Sequence, residues 1–241
     1  MVNTAIILAG GFGTRLKEVA PNTPKPMVII NGRPFLEYQM EYWINQGITR
    51  FILSVGYLKD LIINHFGDSF NGASIEYVVE PKPLGTGGGM LLAAKNITEI
   101  FIVLNGDTYI EVDLNSLYKF HNKLKSDWTF ALFRTSDFNR YLAMDISSSG
   151  KILSFNSNAT NSNSTSKSGL VNGGVYLIEP SALNLLNFNS LYESSLENQL
   201  LPNLLKNGAK LFGQECTGRF IDIGLPEDYY RAGSILYNSS Y

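Results

Sequence analysis

Cysteine is almost missing from this sequence. Cys216 is the only one, which excludes a disulfide framework within the chain and any zinc site built from several cysteines. It fits a reducing compartment. Histidine is scarce too, with only His65 and His121. Charge of one sign is not in excess: 19 Lys and Arg stand against 21 Asp and Glu, for a net charge of -2. That balance argues against a nucleic-acid binder held by a broad basic surface. No apolar run approaches the roughly 18 residues of a membrane span. The apolar run at Thr4–Ala9 has no Lys or Arg before it, so it does not read as a signal peptide, and a cytoplasmic location is expected. What is present is core-forming material. Of 241 residues, 44% are hydrophobic and 17% charged, which excludes global disorder and suits one large domain.

The first half alternates strand-like and helix-like segments. Ala5–Ala9 is a short continuous apolar run, as in a buried parallel strand, and Gly10-Gly11-Phe12-Gly13 breaks it. Phe35–Gln46 carries Phe35, Leu36, Met40, Trp43 and Ile44 at helical spacing, with Gly47 at its end. Strands are expected at 51–55, 75–79 and 101–104, with helices at 57–66 and from Gly89 to Ala94. Strands separated by helix-length segments predict right-handed crossovers and a parallel sheet. In the second half, strands are expected at 129–133, 142–146, 151–155 and 174–178, and a helix at 196–205. The stretch 156–168 is Asn, Ser and Thr except for Ala159 and Lys167, the composition of a solvated loop. With no repeat and no linker visible, 1–241 reads as one α/β domain.

Two segments carry the chemistry. In Leu8-Ala9-Gly10-Gly11-Phe12-Gly13-Thr14-Arg15-Leu16, glycines let backbone N–H groups approach a phosphate, and Arg15 can grip its oxygens in bidentate fashion. The run is neither a P-loop nor a G-x-G-x-x-G fingerprint, and a plain tight turn is its simplest alternative. Thr23-Pro24-Lys25-Pro26-Met27 sets a lysine between two prolines that limit its backbone. A rigid surface turn with a solvated lysine is the alternative there.

Together these segments resemble the signature of the sugar-1-phosphate nucleotidyltransferases. The likeness continues through Glu80-Pro81-Lys82-Pro83-Leu84-Gly85-Thr86-Gly87-Gly88, Asn105-Gly106-Asp107, Val171-Asn172-Gly173-Gly174-Val175-Tyr176 and Phe220–Tyr229, in family order. Within the family it is strongest to guanylyltransferases acting on D-glycero-D-manno-heptose 1-phosphate or mannose 1-phosphate. The resemblance implies a Rossmann-like α/β fold of the nucleotide-diphospho-sugar transferase type, a mixed, mainly parallel sheet flanked by helices. Residues 1–128 would form the nucleotide-binding half and 129–241 the sugar-phosphate half. The implied reaction joins a nucleoside triphosphate, GTP favoured, to a sugar 1-phosphate and releases pyrophosphate, for surface polysaccharide synthesis. Neither nucleic acid nor membrane is an expected partner, and a monomer and a homo-oligomer are both left open. A uridylyl- or thymidylyltransferase and a non-catalytic nucleotide-binding homologue are the alternatives.

An ionised phosphate nucleophile needs no general base, so His65 and His121 are expected to be structural or surface residues. Positioning and charge neutralisation carry such a reaction. The resemblance gives Arg15, Lys25 and Asp107 catalytic roles. It places Leu8, Ala9, Gly10, Gly11, Gly13, Thr14, Arg15, Glu80, Pro83, Gly85 and Thr86 around the nucleotide. Asp107 and Asp222 would hold Mg2+, a cation content with oxygen ligands and retained waters. Asp107 as a turn cap and Asp222 as a partner of Arg219 are the plainer readings, and Glu227 and Asp228 read as charges at a helix N-terminus. Glu80 favours guanine, because a carboxylate can accept from both N1–H and N2–H2. For the sugar, the resemblance points to Tyr141, Asn172, Gly173 and Glu197. One departure stands out. Where many relatives place Glu-Lys after a strand like 152–155, with the lysine on the sugar phosphate, this chain has Asn156-Ser157-Asn158. Lys167, Lys25 and Arg140 are the candidate substitutes.

Overall fold

The first apolar run forms the strand its neighbours demand. In the computed structural model, which describes residues 2–11, 16, 20–136, 140–156, 169–186 and 192–236, the chain opens with β1 (Thr4–Leu8) and a 3-10 turn at Lys25–Met27. Then come β2 (Ile29–Ile30), β3 (Arg33–Pro34), α1 (Phe35–Asn45), β4 (Arg50–Val55) and α2 (Lys59–Phe66). β5 (Ser69–Phe70), β6 (Ala73–Val79), α3 (Gly85–Ala93), β7 (Phe101–Asn105), β8 (Thr108–Ile110) and α4 (Leu114–Leu124) follow. The second half holds β9 (Trp128–Arg134), β10 (Ala143–Ile146), β11 (Ile152–Asn156) and β12 (Leu170–Ile178). It ends with a π-helical turn at Leu196–Leu200, α5 (Leu201–Lys206), β13 (Leu211–Glu215), β14 (Phe220–Asp222) and α6 (Pro226–Leu236).

β1 lies between β4 and β7, parallel to both, with Ile6 opposite Ile52 on one side and Val103 on the other. β6 extends the parallel run beyond β4. β12 then pairs antiparallel with β7 and carries the sheet into the second half, where β9 and β10 both pair with it. The sheet is therefore mixed and mainly parallel, as the resemblance implied. Strands covered on both faces read as continuous apolar runs. Ile7, Leu53 and Leu104 pack against Leu36, Met40 and Trp43 on one face, and Ile6, Ile52 and Val103 pack with Met90 and Leu200 on the other. A third cluster joins Val28, Phe35 and Tyr109 to Ile221, Ile223 and Leu236, and seats the small β8–β14 ladder against α6.

Several elements differ from expectation. α3 starts at Gly85 rather than Gly89 because its first turn is capped by a distant backbone group: Ser194 O accepts from Gly87 N at 2.8 Å and Gly88 N at 3.3 Å. A Cβ on Gly87 or Gly88 would come within 3 Å of Leu200, Ser194, Tyr192 or Leu84 atoms, so close approach requires these glycines. β12 begins four residues before the expected strand and breaks register between Asn172 and Tyr176, where Gly174 takes φ +75°. α4, β8 and β13 were not expected. Asp113 caps α4 by accepting from Ser116 N at 2.9 Å, an Asp-x-x signal that was there to be read. The Asn/Ser/Thr run beyond 156, Lys167 included, lies outside the described residues.

The histidines are structural and surface residues, as expected. His121 is buried with Nδ1 2.9 Å from Thr129 Oγ1, and burial pushes its pKa down to about 4. His65 meets Glu37 at the surface. Among the described residues, no helix is long and apolar enough to cross a membrane.

Candidate active site

A cleft of about 550 Å³ opens at the carboxyl ends of β1 and β7, the edge where parallel sheets bind ligands. Leu8, Ala9, Gly10 and Gly11 form its floor as β1 runs out. Ala9 N donates to Ser54 O at 2.8 Å and Gly106 N to Leu8 O at 3.1 Å, which pins that floor to β4 and to the end of β7. Gly13, Thr14 and Arg15 lie outside the described residues.

Lys25 and Pro26 supply one wall. Pro24 is extended at φ -65°, and the 3-10 turn closes with Val28 N donating to Lys25 O. This rigid turn directs Lys25 Nζ to Asp107 Oδ2 at 2.8 Å. Lys25 is thus no solvated surface lysine: it and its partner carboxylate both line the cleft. Asp107 follows β7 as expected.

Glu80, Pro83, Gly85, Thr86 and Gly89 make the opposite wall. Glu80 is held at both oxygens: Ser54 Oγ donates to Oε1 at 3.2 Å and Leu84 N to Oε2 at 3.0 Å. A Cβ on Gly10 would collide with Glu80 Oε1, and one on Gly89 would stand 2.9 Å from it. Glycine at both positions leaves room for the carboxylate. Each oxygen keeps lone-pair capacity toward the cleft.

Asp222 does not line the cleft but is brought near Asp107 by another route. β8 and β14 pair so that Asp222 lies opposite Thr108, and Ile223 N donates to Asp107 O at 2.9 Å. The two carboxylates are close enough to feel one another. Burial first, and the Asp107 charge second, push the Asp222 carboxyl above the usual range, while Lys25 and Arg140 oppose this. The plainer alternative, Asp222 as a partner of Arg219, does not hold. Arg219 forks onto Glu111, and the cation near Asp222 is Arg140, 3.8 Å from Oδ2. Asp228 does sit in the first turn of α6, but it is more than a terminal charge. It is 2% exposed and paired with Arg140 and, at 3.0 Å, with Arg231.

The residues assigned to the sugar divide. Glu197 lines the cleft and accepts from Thr86 Oγ1 at 3.2 Å. Asn172 and Gly173 do not line it. The Asn172 side chain is buried, donating from Nδ2 to Tyr176 Oη at 2.6 Å and accepting from Gly174 N at 3.1 Å. The Tyr176 hydroxyl, pushed well above its ordinary pKa by burial, also meets Asn105 and Glu197, so Asn172 connects to the cleft through that network. Tyr141 stands edge-on to Phe133 and Phe220, which stack on each other at 3.7 Å. Sequence reasoning missed Pro26, Gly89, Asn105, Gly106 and Glu193 among the lining residues. All but Glu193 adjoin motif residues; nothing in the sequence singled out Glu193.

Known proteins resemble this chain along nearly its whole length. The chain matches the family described as nucleotidyl transferase over residues 4–239. It is 40% identical to the D-glycero-alpha-D-manno-heptose 1-phosphate guanylyltransferase of Campylobacter jejuni, across 94% of this chain and 96% of that protein. It is 37% identical to the enzyme of that name from Aneurinibacillus thermoaerophilus, across 95% and 96%. A crystal structure of HddC from Yersinia pseudotuberculosis complexed with GMP-PN superposes with a TM-score of 0.81 at 36% identity, covering 97% of this chain and 99% of that one. With the glycine floor, the proline-flanked lysine and the strand-end aspartate gathered on one cleft, and a match running almost end to end, the chain belongs to the nucleotidyl transferase family.

Proposed function

We propose that this enzyme transfers a guanylyl group from GTP to D-glycero-D-manno-heptose 1-phosphate, giving the GDP-sugar and pyrophosphate. The observation that carries this reading is the Glu80 carboxylate, fixed by Ser54 and Leu84 on the cleft wall across from the Lys25–Asp107 pair. It puts an acceptor for the adjacent guanine donors in the same cleft as a phosphate-binding cation. Heptose 1-phosphate is favoured over other sugars by likeness to the two guanylyltransferases at 37–40% identity.

In this reading residues 1–128 hold the nucleotide and 129–241 the sugar phosphate, acting as one unit. Pairing of β12 with β7 supports that unity, because the sheet is continuous across the two halves. The glycine floor admits the triphosphate close to backbone N–H groups, with Arg15 on its oxygens. Lys25 leaves Asp107 for the α-phosphate and the incoming phosphate oxygen, which attacks in line while pyrophosphate departs. Asp107 and Asp222 suit a hard dication: they are two adjacent carboxylates, and the negative charge of one already raises the pKa of the other. Mg2+ held there would neutralise charge on the triphosphate. Glu197 and Asn172 would orient the sugar, with Tyr141 beside it.

The test is a four-nucleotide competition with heptose 1-phosphate and mannose 1-phosphate as acceptors, reading nucleotide-sugar and pyrophosphate. GDP-heptose is the expected dominant product. A dominant UDP-, dTDP- or CDP-sugar would overturn the guanine assignment, and preferential use of mannose 1-phosphate would overturn the heptose.

A further inference from the structure

The departure at 156–158 leaves a question of charge. A sugar phosphate must approach a triphosphate beside Asp107 and Asp222, so cations have to offset it. Lys25 already faces Asp107. Arg140 stands by the other carboxylate, 3.8 Å from Asp222 Oδ2. A phosphate arriving at the aspartate pair would meet a cation associated with each carboxylate.

We propose that Arg140, fixed by the buried Asp228, grips the phosphate of the sugar 1-phosphate in this chain. The inference rests on the sugar-1-phosphate reading above. Three features prepare the guanidinium for that task. It is 23% exposed, so it is reachable while partly desolvated. Among the described residues it donates hydrogen bonds to Asp228 alone, and an arginine has five N–H donors; its separation from Asp222 is too long for a hydrogen bond. Its Cζ lies 5.2 Å from the centroid of the Tyr141 ring, a cation–π contact that limits how its plane can turn. A planar fork held this way suits the oxygens of a phosphate.

Asp228 is the positioning residue. A carboxylate 2% exposed must be paired, and it has two arginines rather than one. Arg231, itself largely exposed, keeps a 3.0 Å contact with Asp228 Oδ1. Removing Arg140 therefore leaves the buried charge with a partner, so the variant is expected to fold.

The experiment compares the parent protein with Arg140→Ala, Arg140→Lys and Asp228→Asn. With GTP saturating and heptose 1-phosphate varied, Arg140→Ala should raise the KM for the sugar phosphate about 10- to 100-fold, the scale of a charge-assisted hydrogen bond. GTP affinity by calorimetry should stay within about twofold. Arg140→Lys should recover part of the loss, because it restores charge without the fork. Asp228→Asn should raise the same KM by a smaller factor and leave GTP affinity alone. A second readout needs neither GTP nor the right sugar: line broadening of inorganic phosphate in 31P spectra of the nucleotide-free protein should weaken in Arg140→Ala. Loss of turnover by the parent on every sugar 1-phosphate would sink the proposed function and leave this readout to judge Arg140. Equal broadening in parent and variant, or KM and GTP affinity worsening together with a lowered Tm, would overturn the proposal and make Arg140 a structural brace.

Discussion

The two halves of this sheet build site residues in different ways. In the first, parallel strands bring their carboxyl ends to one edge, so a residue that follows a strand in sequence arrives at the cleft. Leu8 ends β1 and Ala9 to Gly11 follow it, Glu80 follows β6 and Asp107 follows β7. In the second, antiparallel pairing sends chain ends both ways, and side chains connect to the site through partners: Asn172 through Tyr176 on its own strand, Arg140 through Asp228, Asp222 through the β8–β14 ladder. The first half supplies most of the direct contacts, and Glu193 and Glu197 are what the second half adds to them. The second half otherwise supplies networks whose members lie one residue back from the cleft.

That contrast can be broken, and the largest effect should come where the halves meet. Asp107→Asn and Asp222→Asn should each cut kcat/KM at least a hundredfold, on the order of 3 kcal/mol of transition-state stabilisation, with circular dichroism unchanged. Near-parent activity of Asp222→Asn at limiting magnesium would confine the chemistry to the first half. Next is Lys25. Lys25→Ala should lower kcat by about tenfold to a hundredfold, the worth of one charged hydrogen bond, and Lys25→Arg should not restore it because a fork replaces a compact charge. A normal rate in the alanine variant would make the lysine a mere mask on Asp107.

A comparable shift, seen in selectivity rather than rate, is expected at Glu80. Glu80→Gln can still accept from Leu84 N while its amide N–H2 turns to Ser54, so the wall should survive. The kcat/KM ratio of GTP to UTP should fall about tenfold, roughly the value of one charged acceptor. An unchanged ratio would mean that the base is read by backbone groups instead. The smallest effect belongs to the second half. Tyr176→Phe strands the buried Asn172 amide and should cost about 1–3 kcal/mol of stability, read from urea unfolding, with GTP affinity preserved. A matching loss of GTP affinity would show that the network serves the nucleotide cleft as well.

The same contrast explains what the sequence could reveal. β1, α1, β4 and β7 were legible because their apolar patterns match a two-sided core and their ends carry glycine-rich motifs. Glu80 and Asp107 came with them. β8 and β14 are three residues each, too short for any period to show, yet they bring Asp222 to Asp107. Asp228 looked like a charge at a helix start, since its burial depends on two arginines reached only by folding. Glu193 has no signal of its own: it lines the cleft because the neighbouring Ser194 carbonyl caps α3.

The β8–β14 ladder also sets an order of completion. All the strands framing the glycine floor have been synthesised by the time Asn105 emerges from the ribosome, but the second carboxylate follows only with Asp222. Domains fold largely as units during synthesis, beginning at the N-terminus. A nascent chain halted between those points would have the floor, Lys25 and Asp107, but not the paired aspartates. Under the proposed function, turnover would therefore begin only once β14 has paired with β8.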